Sequence, residues 1–337
     1  LFGEKDEDAI RLPAYLRDAY GLAEEFCELL GNRVKAAGFL KTLLLRRVGS
    51  TIYAGRMTAE KMLRDWQCVV AEDDEEDEAV TSSEMKNLTP EERSVLERFV
   101  AALNANQVRD PKYDVVRECL LEKGWLELGC IVFSQYYDSI YWLAENLSRE
   151  MPGEKIGVYA GGQRSGIMYD GNFSWVSREE LKKKVAQREI RLLLGTDAAS
   201  EGLNLQRLGT LINLDLPWNP TRLEQRKGRI QRIGQIRDTV YIYNLRYKDS
   251  VEDRVHELLS GRMEDIYKLF GQLPDVLEDV WIHIAFGEIE KARQTIDAVQ
   301  KQHPFEIKYH QIKKVPWESC ARVLDSADRR KYLSRGW

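Results

Sequence analysis

Residues 222 to 237 carry five arginines and one lysine against a single glutamate, although the 337-residue chain has a net charge of -5. Clustered guanidinium groups bind carboxylates or phosphates when their spacing brings them to one face. Asn219 ahead of Pro220 makes a good helix start, an acceptor side chain followed by a residue with preset φ. Gly234 suits a left-handed C-terminal cap. The sequence therefore predicts a helix from about Pro220 to about Ile233, with Gln225, Arg229 and Arg232 at i, i+4 and i+7 along one stripe. Gly228 falls inside that helix, where glycine costs about 1 kcal/mol against alanine. Close approach of a backbone or a phosphate would justify it. A solvated helix face is the plain alternative for any charge run.

Two further stretches are polar where an apolar strand should simply turn. "LLLGTDAASEGLNLQ" places Gly195 and Gly202 around a polar loop, so that backbone amides and the Thr196 hydroxyl can face a phosphate while Asp197 orients its neighbours. "IVFSQYYDSI" ends a buried strand with Ser134 and Gln135. Each alone also fits a generic strand-to-helix turn.

The elements that must hold these loops are short apolar strands alternating with helices from about residue 125. Strands are expected at 129–135, 155–161, 190–196, 210–216 and 240–246, with helices such as "YYDSIYWLAENLSRE" and "SREELKKKVAQRE" between them. Alternation of this kind implies a parallel sheet covered on both faces, an α/β fold, with ligands outside the carboxyl ends of the strands. Before it, residues 9 to 68 have apolar residues at helical spacing. Glu72 to Glu78 is an unbroken acidic run that repels itself and reads as a linker. "TPEERSVLERFVAALNA" follows as a helix with Thr89 as N-cap and Pro90 in its first position. Beyond 250 the chain reads as helical again, with a possible strand at "PFEIKYHQI".

Composition narrows the function class. With 43% hydrophobic and 31% charged residues the chain is long enough for two compact units and a sizeable core. No stretch approaches the roughly 20 apolar residues that span a membrane, and the start lacks a signal core. Cys27, Cys68, Cys119, Cys130 and Cys320 are scattered, with no CxxC, and no histidine stands at metal-ligand spacing, so no metal site is expected. The acidic net charge argues against a wholly basic nucleic-acid coat but leaves room for a local basic groove. A start on leucine is expected of a piece excised from a longer protein, or of a processed or incomplete start.

Taken in order, IVFSQ, GTDAASEGLNLQ and DLPWNPTRLEQRKGRIQRIGQ resemble motifs IV, V and VI of superfamily two helicases and translocases. The last block resembles the Swi/Snf-type branch, and "SEG" within motif V is most similar to bacterial RapA-like members. "FLKTLLLRRVGSTI" also looks like the helical connection between lobes in that branch. The resemblance implies a RecA-like C-terminal lobe over about residues 125–250. It implies a helical inter-lobe segment at 1–70, an acidic linker at 71–88, a helical segment at 89–124 and a mostly helical brace at 251–337 that carries Trp281, Trp317 and Trp337.

Roles carry over by position. The resemblance makes Arg232 the arginine finger to the γ-phosphate of ATP and Arg229 its partner, with Gln225 holding the cleft. Gly202 and Asn204 look toward the nucleotide, and Thr196, Ser134 and Gln135 are candidate contacts to nucleic acid. No GxxxxGK[ST] loop and no DExH-like box occur in the 337 residues. ATP and magnesium would therefore be held with a separate N-terminal RecA-like lobe. The resemblance further implies double-stranded DNA as partner and a bacterial cytoplasmic, nucleoid-associated location. The competing readings are a non-catalytic nucleic-acid-binding or protein-interaction module with the same lobe shape, and an RNA helicase lobe. "PWNP" and the "RIGQ" ending favour the Swi/Snf branch over the last.

Overall fold

The computed structural model describes residues 10–33, 38–64, 87–105, 109–197, 205–217, 220–231, 235–237, 239–255 and 277–298. In chain order the helices longer than one turn are α1 (Ala14–Arg33), α2 (Gly38–Ser50), α3 (Ile52–Arg64), α4 (Pro90–Asn104), α5 (Pro111–Leu121), α6 (Tyr137–Glu150), α7 (Arg178–Ala186), α8 (Pro220–Ile230), α9 (Leu277–Ala285) and α10 (Ile289–Ala298), with a single helical turn at Trp125–Leu128. The strands are β1 (Cys130–Ser134), β2 (Ile156–Tyr159), β3 (Gly166–Tyr169), β4 (Asn172–Trp175), β5 (Leu192–Thr196), β6 (Thr210–Asn213) and β7 (Tyr241–Asn244). They form one sheet in the order β4-β3-β2-β5-β1-β6-β7.

The five strands expected from the sequence pair in parallel, and all five residues of β1 are buried, as a strand covered on both faces requires. Alternation splits their side chains between two cores. Cys130 and Val132 face α5 and α6, while Ile131 and Phe133 face α7 and α8.

The sequence reading had no place for β3 and β4, which add an antiparallel hairpin to this parallel sheet. Asp170 and Gly171 make its two-residue turn with φ of 45° and 77°, the left-handed pair of a type I′ turn. Gly166 is required here, because a Cβ would enter the Phe173 ring and the Ser174 carbonyl.

The remaining helices pack into a third core. Leu16, Phe26 and Leu30 of α1 meet Leu44 and Val48 of α2, Met62 of α3, Phe99 of α4 and Trp281 of α9, together with Leu216, Leu223 and Tyr247. Segments on both sides of the sheet in sequence thus share one apolar interior. Thr89 caps α4 in a reciprocal box, accepting from the Glu92 amide at 3.2 Å while Glu92 accepts from the Thr89 amide at 2.8 Å. Glu92 also takes a two-pronged bond from Arg33, at 2.9 and 3.0 Å. Arg93 donates to the Leu63 carbonyl at 3.2 Å and Arg33 to the Asn87 carbonyl at 3.4 Å.

Among the described residues no helix is long and apolar enough to cross a membrane. Cys27, Cys119 and Cys130 are free and buried, and burial pushes the Cys130 thiol up to about 12. The acidic run at 72–78, the possible strand at 304–312, Trp317 and Trp337 lie outside the described residues.

Candidate functional site at the carboxyl ends of the strands

β5, β1 and β6 are neighbours, with Ser134 beside Thr196 and Phe133 beside Asn213. Their carboxyl ends are joined by one side chain from α8. Arg226 is fully buried and donates to both carboxylate oxygens of Asp197, at 2.5 Å from Nε and 2.9 Å from Nη2. Its Nη1 reaches Asn213 Oδ1 at 3.2 Å and the Asp215 carbonyl at 2.9 Å, and its Nη2 reaches Asp215 Oδ1 at 3.4 Å. The guanidinium carbon lies 5.6 Å from the centre of the Phe133 ring. Burial works against this charge, but Asp197 and Asp215 outweigh it and hold the Arg226 pKa above its ordinary value. A planar fork with five donors suits such a set of acceptors, where a lysine could serve only some of them.

Asp215 is also the meeting point with the helices. It accepts from Ser134 Oγ, from Ser50 Oγ at 2.6 Å and from the Gln135 amide at 3.0 Å. Ser139 shares protons with Ser50 and Thr51, each at 2.8 Å. Beside this cluster the buried Lys112 donates from Nζ to the Gly49 and Leu214 carbonyls, both at 2.6 Å. Burial lowers the Lys112 pKa and raises those of Asp110 and Glu252. Asp110 accepts from the Ile52 amide at 2.9 Å and from the Tyr247 hydroxyl at 2.8 Å. Gly49 admits the Glu252 carboxylate where a Cβ would stand. The α2–α3 junction is therefore bonded into the strand ends rather than resting against them.

The expected site residues fall into three groups. Ser134 is fully buried with its hydroxyl committed to Asp215 and Ser50, so it acts as an internal strut and has no surface to offer a nucleic acid. Gln135 is half-buried and reaches the Leu216 carbonyl at 3.4 Å, and Thr196 closes β5 with 8% of its surface exposed. Gln225 is exposed and Arg229 half-exposed on the outer flank of α8. The Arg229 Nε is buried without a hydrogen-bond partner among the described residues. Gly202, Asn204 and Arg232 lie outside the described residues.

α8 starts at Pro220 as expected but ends at Ile230, three residues early. The cause is Gln235, whose side-chain amide donates to the Ile230 carbonyl at 2.9 Å and to that of Leu208 at 3.1 Å. At Gly228 no described atom outside the surrounding turns of α8 lies within 4 Å of an added Cβ, so no described part of this chain makes the expected close approach. Arg226, the residue the sequence reading passed over, had a signal. Leu223, Arg226 and Ile230 stand at i, i+3 and i+7, the buried face of α8.

Residues 112–234 match the family model described as the helicase conserved C-terminal domain. The uncharacterized ATP-dependent helicase YqhH of Bacillus subtilis is 40% identical over 119 residues, 35% of this chain and 21% of that protein. The RNA polymerase-associated protein RapA of Vibrio parahaemolyticus is 35% identical over 122 residues, 31% of this chain and 12% of that protein. The chain thus spans about a fifth of one and about an eighth of the other. Among solved structures, the C-terminal part of the Fun30 ATPase domain superposes with a TM-score of 0.46 at 19% identity, over 84% of this chain and 96% of that one. The strand order and the matched family model agree: residues 112–234 carry the helicase conserved C-terminal domain, in an α/β RecA-like lobe.

Proposed function

We propose that this chain is the second lobe of an ATP-dependent translocase on double-stranded DNA, bringing motifs V and VI to an ATP site completed by a first RecA-like lobe. The observation that carries the reading is the two-sided build of α8. Its inner face is fixed by Arg226 to Asp197 and Asp215, while Gln225, Gly228 and Arg229 occupy a flank with open space at Gly228. That answers part of the crowding of cations: Arg226 locks the helix from inside, and Arg229 stands on its outer flank where an external anion could meet it. Guanidinium groups on an exposed helix flank are the usual recognition groups for phosphate, and Arg229 is half-exposed there.

On this reading Arg232 is the arginine finger, Arg229 its partner, and Gly202 and Asn204 face the nucleotide. ATP supplies the phosphoanhydride bond that is cleaved, and guanidinium groups supplied across the cleft stabilise charge on the transferring phosphoryl group. On this reading magnesium, like the phosphate loop, belongs to the first lobe, where nucleotide phosphates and one or two carboxylates would hold it. Thr196 and Gln135 lie at the strand ends that would meet the DNA backbone. Asp197, one residue beyond Thr196, is clamped by Arg226, which ties a DNA-facing loop to a nucleotide-facing helix.

The test is the DNA-stimulated ATPase of the chain joined to its upstream lobe. Arg232→Lys should fail almost as badly as Arg232→Ala, by about 10³- to 10⁵-fold, because lysine keeps the charge and loses the fork. Wild-type turnover in a folded Arg232→Lys variant would refute the finger role and favour a non-catalytic module that keeps the lobe fold.

A further inference from the structure

A cavity lined with arginines lies at the opposite end of the sheet from the site described above. Its walls come from the segments that lead into the strands: Glu127 to Gly129 before β1, Arg188, Ile190 and Arg191 before β5, Arg207 and Leu208 before β6, and Arg237 on the way to β7. The cavity has a volume of about 110 Å³.

Of its four arginines, one is already balanced. Arg191 donates to Glu127 at 2.7 Å and to the two oxygens of Glu154 at 2.5 and 3.3 Å, so it braces the wall. Glu189, beside Arg188 in sequence, is bonded to Lys184 at 3.2 Å. Among the described residues no carboxylate pairs with Arg188, Arg207 or Arg237. The Arg237 Nη2 makes a long contact of 3.5 Å with the Leu128 carbonyl, and Arg188 and Arg207 are exposed. Leu128, Val185, Ile190 and Leu208 make the wall between these cations apolar, which strengthens their pull on an anion.

The backbone at Arg188 gives a separate sign of a ligand. Arg188 stands just past α7 with φ of 62°, the left-handed position that glycine fills best at a helix end. Its amide donates to the Val185 carbonyl at 3.1 Å and the Glu189 amide to that of Lys184 at 2.9 Å, which fixes the turn. A residue with a Cβ is strained in this position where glycine is not. Strain of this kind collects at binding sites, and here it is kept for an arginine that lines the cavity.

Three unmatched guanidinium groups from three separate segments suit a ligand with more than one negative charge and oxygens on several sides. A phosphoryl group has both, and guanidinium forks hold it through paired hydrogen bonds. We propose that this cavity is a phosphoryl-binding site, which takes inorganic phosphate or the terminal phosphate of a nucleotide strand. It stands at the amino ends of the strands and does not depend on the reading of the carboxyl ends as the place that meets ATP and DNA.

The experiment is isothermal titration of the 337-residue chain at constant ionic strength. The probes are inorganic phosphate, a 5′-phosphorylated dinucleotide, its 5′-hydroxyl counterpart and succinate. Phosphate or the phosphorylated dinucleotide should bind saturably, the tighter of the two marking the source, while the other two probes should not. Arg207→Gln and Arg188→Gly should each weaken that binding by about 10-fold, the low end of what a hydrogen bond to a charged group supports. Arg229→Gln on α8 should leave it unchanged. In phosphate-free buffer Arg188→Gly should melt no lower than wild type, because glycine relieves the left-handed turn, so its lost affinity is not lost folding. No saturable binding of either phosphoryl probe, equal affinity for succinate, or full affinity in Arg207→Gln would each overturn the proposal. So would binding that Arg229→Gln abolishes, since that places the phosphate on α8. The ATPase reading is scored separately by Arg232→Lys in the two-lobed protein, so either can fail without the other.

Discussion

Replacing Arg226 should expose what holds the strand ends together. Its side chain is 0% exposed, against 3% for Asp215 and 13% for Asp197, so truncation to alanine removes the cation that bridges two nearly dry carboxylates and leaves Asp197 only Arg222, 4.0 Å away. Breaking a buried ion pair by removing one partner costs about 3–5 kcal/mol. The Asn213 Oδ1 and the Asp215 carbonyl also lose a donor, which puts the expected loss toward the upper end of that range. Domains are stable by only about 5–15 kcal/mol, so the Arg226→Ala variant should fold but with a much lower urea midpoint. Arg226→Lys should recover part of the loss, since an ammonium reaches one carboxylate and cannot bridge both. Adding Asp197→Asn to Arg226→Ala should restore stability, because it removes one of the stranded charges, whereas Asp197→Asn alone should destabilise. A loss under about 1 kcal/mol in Arg226→Ala, or further loss on adding Asp197→Asn, would refute the charge-balance reasoning.

Other outcomes follow from geometry already given. Thr89→Ala should cost about 1 kcal/mol by urea unfolding, since it removes one half of the α4 capping box. For Asp253, burial pushes its pKa up, but Arg246 Nε at 2.7 Å and the Asp249 amide at 2.9 Å outweigh burial and hold it below the ordinary 3.8. A depressed folded-state pKa contributes stability above the unfolded value and loses it as pH falls through the folded one. The stability gap between wild type and Asp253→Asn should therefore be constant above about pH 5 and narrow as pH falls below the ordinary carboxylate value, as read by unfolding at each pH. Ser50→Val should weaken the joint between the helices and the strand ends by about 1–3 kcal/mol, because the Asp215 carboxylate loses a buried donor. Phosphate release assays on the isolated 337-residue chain should find no ATP turnover, because phosphoryl transfer needs a phosphate loop that its sequence does not contain.

The parallel core was legible because strands buried on both faces are written as short apolar runs between turn residues and helices, as "CIVF" is; the run alone does not decide, since Leu43-Leu44-Leu45 lies in α2. The α4 cap was legible because Thr-Pro-Glu-Glu encodes its own hydrogen bonds locally. The hairpin was missed although Asp170-Gly171 is a strong turn signal, since its short, half-exposed strands lack the apolar run that marked the others. Arg226 was missed for a different reason. Its partners lie 29 and 11 residues away, and charge type alone sent every arginine of the cluster to the surface. The apolar neighbours at 223 and 230 held the correcting information, because helical phase outranks charge in deciding which side chain turns inward. Ser134 erred the same way: a polar residue at a strand end looked ligand-facing, and the distant Asp215 and Ser50 that claim it cannot be paired from local pattern.

The bonds from Arg93 to the Leu63 carbonyl and from Arg33 to the Asn87 carbonyl have a consequence for how this chain can vary. They tie Leu63 and Asn87, on either side of residues 65–86 in sequence, to one patch of helices, so the described chain leaves off and resumes at one doorway. A segment whose ends are already held together raises its closure entropy only logarithmically, by about 0.6 kcal/mol per doubling of length. The doorway is therefore an insertion port: sequence can be lengthened, trimmed or exchanged there for a different module while the helices on either side keep their register.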